Sequence, residues 1–219
     1  MTCTGRYSAG ALHRAGFGYD RMRASNRDRR GDSADISEHR RAGRQIRKIA
    51  FAGIIGSLYA ALTIALGFIG YGPLQFRIAE ALCILPFFMP VSVWGLLAGC
   101  IAANLLSPYP LDVVVGSFAT LLAALCTMWI GRSRGGGGGV ARKILACAPP
   151  VLFNAVFIGA LIAYYTAGAD EPGVYLSLFA INALQVGCGE AVVMYAIGLP
   201  LMVYLPKTRV LEIIGGSRS

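Results

Sequence analysis

From about residue 48 onward the chain alternates long apolar runs with short polar breaks, and the run lengths predict membrane-spanning helices. The first run, Ile49 to Ile69, has about the 20 residues a helix needs to cross a bilayer core. Within it, Ala52, Gly56 and Ala60 recur every fourth residue, with a second small row, Gly53, Ser57 and Ala61, beside them. Rows of small residues let backbones approach closely. Packing against the chain's own helices would use one such row; two adjacent rows exceed what one internal contact needs, and Ala52, Gly56 and Ala60 are the expected docking row for a partner protein.

From Ile78 to Leu106 the chain is apolar for 29 residues, broken by Pro86 and by Pro90-Val91-Ser92, so it forms either one kinked span or a hairpin of two short ones. Further spans are expected at about Leu111 to Ile130, at Ile144 to Thr166 with a kink at Pro149-Pro150, and at Tyr175 to Leu205. Asp112 falls at the start of the fourth span, where a carboxylate stabilises a helix N-terminus. Counting the hairpin as two gives six spans and gathers the N-terminal arm, the Arg132 to Lys143 connection and the Lys207 to Arg218 tail on one side of the membrane. The preference of basic loops for the cytoplasm therefore favours an all-α membrane protein of six transmembrane helices with both termini cytoplasmic.

Composition agrees: 56% of residues are hydrophobic, 14% are charged and the mean hydropathy is +0.60. The net charge of +9 is concentrated, since 12 of the 20 Lys and Arg lie in the first 48 residues. Residues 1–45 are rich in Arg, Gly and Ser without apolar period and read as a disordered basic arm, solvated or attracted to lipid headgroups rather than to nucleic acid, with Met22 a candidate later start. Residues 46–210 are the transmembrane domain and 211–219 a cytoplasmic tail. None of the six cysteines forms a C-x-x-C, the five inside apolar runs read as small core residues, and both histidines lie in the arm, so no metal site is expected within the spans. The pentaglycine Gly135 to Gly139 precedes Val-Ala-Arg-Lys and lacks the G-K-[ST] of a phosphate-binding loop. With no Ser/His or paired-Asp constellation either, the chain is not read as an enzyme.

Candidate chemistry sits in the few polar residues inside the apolar runs. In YGPLQFRIAEAL, Tyr71 to Leu82, Arg77 and Glu80 are three residues apart at the mouth of an apolar segment. They either pair with each other to fix where the chain enters the membrane, or pair and still offer a carboxylate and a guanidinium edge to a ligand. In the last span Asn182, Gln185 and Gly189 share a face, with Glu190 about 80° round the helix. Glu190 has no basic residue in its own span, so protonation, a partner charge or a ligand must compensate it. The expected ligand set is Gln75, Arg77, Glu80, Asn104, Asn182, Gln185 and Glu190, with Glu190 as the main ligand acid and Glu80 as a gate acid at the outer rim.

Taken together, YGPLQFRIAEAL, LPFFMP, GLLAGCIAANLL, LDVVVGSFATLLAAL and VGCGEAVVMYAIGLPL resemble the queuosine-precursor transporter family, QueT, from about Lys48 to Lys207. Members of that family are substrate-binding S components of energy-coupling-factor (ECF) transporters. The resemblance implies a six-helix bundle with an outward-facing pocket under the first loop. It also implies docking on a transmembrane coupling protein that carries two ATPases, with no cofactor in the chain itself. Its implied substrates are 7-deazaguanines such as 7-aminomethyl-7-deazaguanine, whose N–H donors and cationic arm suit carboxylates and on whose ring Phe76, Tyr164 or Tyr165 would stack. An S component for another vitamin or nucleobase, and a structural or sensory subunit whose acids pair internally, are the alternative readings.

Overall fold

A computed structural model describes residues 38–39, 41–67, 76–133, 139–167 and 172–208. The chain divides into two units, Met1–Ile46 and Arg47–Ser219. Of the first, the described residues are helical and exposed; most of the expected basic arm, including Met22 and His13, lies outside the described residues, as do Gln75, the tail 211–219 and most of the pentaglycine. The second unit carries the apolar runs.

Every described element is helical, and the order follows those runs. Helix α1, Arg41–Ala65, starts earlier than Ile49. It is followed by α2, Ile78–Phe87, in 3-10 geometry, and by α3, Ser92–Asn104. The 78 to 106 run is therefore a hairpin of two short helices, turned at Met89 to Val91, where the Ser92 hydroxyl donates to the Met89 carbonyl at 2.6 Å. At roughly 20 Å each by their rises per residue, α2 and α3 are shorter than the ~30 Å core of a bilayer. Helices α4, Asp112–Arg132, α5, Val140–Ala146, α6, Ala148–Ala167, α7, Pro172–Val192, and α8, Leu199–Tyr204, complete the order. Among the described residues four stretches are long and apolar enough to span a membrane: α1, α4, α5 with α6, and α7 continued through α8.

The prolines act where the ladder can spare a donor. Pro149 and Pro150 occupy the first turn of α6, so the break falls at Cys147, just ahead of the prolines themselves. Pro150 has no N–H for the Ala146 carbonyl, and the Thr127 hydroxyl of α4 supplies it at 3.1 Å. Between α7 and α8, Val193–Gly198 forms a π turn just ahead of Pro200, which cannot donate to the α ladder.

Close glycine contacts set the helix spacing on the α1 side. A Cβ on Gly56 would lie 2.7 Å from the Gly95 carbonyl oxygen of α3, and Gly95 and Gly99 meet the Ala52 and Gly56 backbone in return. The Ala52, Gly56, Ala60 row therefore packs inside the bundle, which corrects the expectation that it is the docking row. The second row is the free one: Gly53, Ser57 and Ala61 are all exposed. Next to the inner row, Ile55, Tyr59, Met89, Val93, Leu96 and Cys100 belong to the main core cluster. All five described cysteines are free thiols; Cys83, Cys100 and Cys147 are core residues as expected, while Cys188 is exposed.

Candidate functional site

The 3-10 geometry of α2 aligns residues three apart, so Arg77, Glu80, Cys83 and Pro86 form one edge, and all four are buried. The Cys83 thiol donates to Glu80 Oε2 at 2.9 Å along that edge. Two more donors reach the same carboxylate from other helices: the Tyr59 hydroxyl of α1 at 2.5 Å and the Thr120 hydroxyl of α4 at 3.3 Å, both on Oε1. Glu80 is 0% exposed. It is held inside the bundle by α1, α2 and α4, which corrects its placement as a gate at an outer rim.

Arg77 is drawn elsewhere. Its Nη2 donates to Asp112 Oδ2 at 2.7 Å, with both side chains buried. The Ser107 hydroxyl donates to the same oxygen at 2.9 Å. Asp112 is the first residue of α4, as the sequence suggests, but it serves as the counter-ion of Arg77. Asn104 ends α3 next to this pair, donating to the Asp112 carbonyl at 3.0 Å and to Cys100 Sγ at 3.3 Å. A Cβ on Gly116 would overlap the side-chain ends of both Asp112 and Asn104, so a larger residue there would push both out of this corner.

The second acid lies on α7. Glu190 is 1% exposed and accepts from Asn154 Nδ2 of α6 at 3.2 Å. It is within electrostatic reach of Glu80, Cys83 and Arg77, so the two acids expected to be separate belong to one buried polar region. Their surroundings differ. Among the described residues Glu80 accepts three hydrogen bonds, whereas Glu190 accepts one and keeps most of a carboxylate's acceptor capacity. Acceptors without donors also remain nearby: Asn104 Oδ1, Asp112 Oδ1 and Asn154 Oδ1 are buried and have no hydrogen-bond partner among the described residues.

Of the expected ligand set, Arg77, Glu80, Asn104 and Glu190 are thus brought into the buried region. Asn182 and Gln185 are half-buried on α7, and among the described residues no hydrogen bond joins them to it. Tyr164 and Tyr165 are exposed; Tyr165 packs on Tyr109 at 5.2 Å and accepts from the Leu111 amide at 3.3 Å, so it braces the α3–α4 connection. The expected set lacks Tyr59, Asp112, Thr120 and Asn154. Each is a polar group inside an apolar span, and that signal alone would have found them. Among the described residues, no group of three His, Cys, Asp or Glu is placed to hold a metal ion.

A family model described as QueT transporter matches residues 49–207. The queuosine precursor transporter QueT of Lactococcus lactis subsp. cremoris (strain MG1363) is 38% identical over 76 residues, which are 34% of this chain and 45% of that protein. The chain thus spans less than half the length of the relative it matches. No solved structure matches it.

Proposed function

The chain belongs to the QueT transporter family, and on that premise we propose that it is the substrate-binding S component of an ECF-type importer for a queuosine precursor. It is a multi-pass membrane protein. The ligand is a 7-deazaguanine, 7-aminomethyl-7-deazaguanine or a close relative, and Glu190 is its main acid. One observation carries the ligand side: Glu190 is buried, takes one hydrogen bond among the described residues, from Asn154, and so retains acceptors for N–H groups or an ammonium arm. Glu80, already engaged by Tyr59, Cys83 and Thr120, shapes the region without needing a ligand.

Glu190→Gln is expected to weaken binding of 7-aminomethyl-7-deazaguanine to the purified protein at least about a hundredfold, the loss typical of a buried charged partner. Glu80→Gln should cost less ligand affinity. Calorimetry on the two variants decides, and near-normal affinity in Glu190→Gln would reject Glu190 as the ligand acid.

Transport then depends on partners: a transmembrane coupling protein and two ATPases that hydrolyse ATP. The exposed α1 row, Gly53, Ser57 and Ala61, flanked by exposed Ile54 and Leu58, is the face that supports docking in the bilayer. Both termini are cytoplasmic in this reading, which gathers the basic segments on the inner side. Single cysteines at Gly137 and Gly168 should then react oppositely with an impermeant thiol reagent in intact cells. Equal labelling would reject the arrangement.

A further inference from the structure

We infer that Asn154 is a ligand-reading residue, which with Glu190 presents a buried acceptor edge selecting ligands that carry two adjacent N–H donors. The inference rests on the proposed role of Glu190 and adds the residue that gives the site its discrimination. A carboxylate accepts, so the Asn154 amide nitrogen is the end that faces Glu190, at 3.2 Å. That leaves Oδ1 as an acceptor, in a side chain only 1% exposed, and it has no hydrogen-bond partner among the described residues.

Its surroundings cannot readily supply one. Asn154 lies within α6, Ala148–Ala167, where neighbouring backbone amides are engaged in the helical ladder. An amide that served only to hold α6 to α7 would need the nitrogen alone, and burying its oxygen without a donor would be a cost with no return. Beside it Glu190 has spare acceptor capacity of its own. Two acceptor groups side by side match an exocyclic amine next to a ring N–H, as on the amino-oxo edge of a guanine-like base.

The test uses two planar bases that differ in one donor group: 7-deazaguanine and 7-deazahypoxanthine, which lacks the exocyclic amine. Dissociation constants are measured by calorimetry on the full chain in detergent, and the readout is their ratio. The wild-type chain should favour the amino base, and Asn154→Leu should shrink that preference at least about tenfold while the affinity for 7-deazahypoxanthine changes little. Should Asn154→Leu fail to fold, Asn154→Ala, which only removes the amide, is read the same way. A residue that merely braces α6 on α7 would weaken both bases equally and leave the ratio unchanged, and that result overturns the assignment while the role of Glu190 stands. If the wild-type chain binds neither base, the functional reading itself fails and the inference with it.

Discussion

Asp112→Leu should destabilise the bundle by about 3–5 kcal/mol, because it leaves the Arg77 guanidinium buried without its carboxylate counter-charge. The two side chains are 3% and 1% exposed and their atoms meet at 2.7 Å. Neither charge can recover water when the other is removed. The pair also ties the start of α2 to the start of α4, with Ser107 on the same carboxylate oxygen, so its loss loosens the connection between α3 and α4 as well. The double variant Arg77→Met, Asp112→Leu removes both charges at similar volume and should recover much of the loss, since the desolvation penalty disappears with the attraction. Thermal unfolding in detergent separates the cases: a large drop for the single variant and a small one for the double. Equal drops would mean that the interaction is not what holds this corner.

How much of this was legible in the sequence depended on the range of the interaction. The spans were readable because a bilayer imposes length, and Pro90 marked the hairpin because proline cannot continue a ladder. Pairings were not readable. Arg77 has an acid three residues on, and nothing local reveals that it turns instead to one 35 residues away; Asn154 and Glu190 are joined across 36 residues. The 3-10 geometry of α2 was equally hidden, although it is what lines up Arg77, Glu80 and Cys83. The two small rows of α1 look alike in composition, yet their inner and outer sides could have been told apart. At 100° per residue Gly56 lies about 60° from the hydroxyl-bearing Tyr59, while Ser57 and Ala61 lie about 160° away. A polar group in an apolar span marks the face that avoids lipid, and Tyr59 indeed reaches Glu80 from that face.

The same two rows give the second large effect. Gly56→Leu should prevent the bundle from closing, at a cost above the ~1–3 kcal/mol of an ordinary overpacked core site, because its Cβ would meet backbone rather than a side chain that can turn aside. The obstacle is the Gly95 carbonyl oxygen at 2.7 Å, with the Gly99 amide nitrogen at 3.5 Å, and neither can move unless α3 shifts as a whole. Since α3 carries Cys100 and Asn104 into the buried polar region, ligand binding should fall with stability. Gly53→Leu is the paired variant. A Cβ there meets nothing within 4 Å, so the protein should fold and bind ligand normally while uptake and co-purification of the proposed coupling partner fall. Normal stability and ligand binding in Gly56→Leu would contradict the tight α1–α3 contact, and normal uptake in Gly53→Leu would remove the outer row from the docking face.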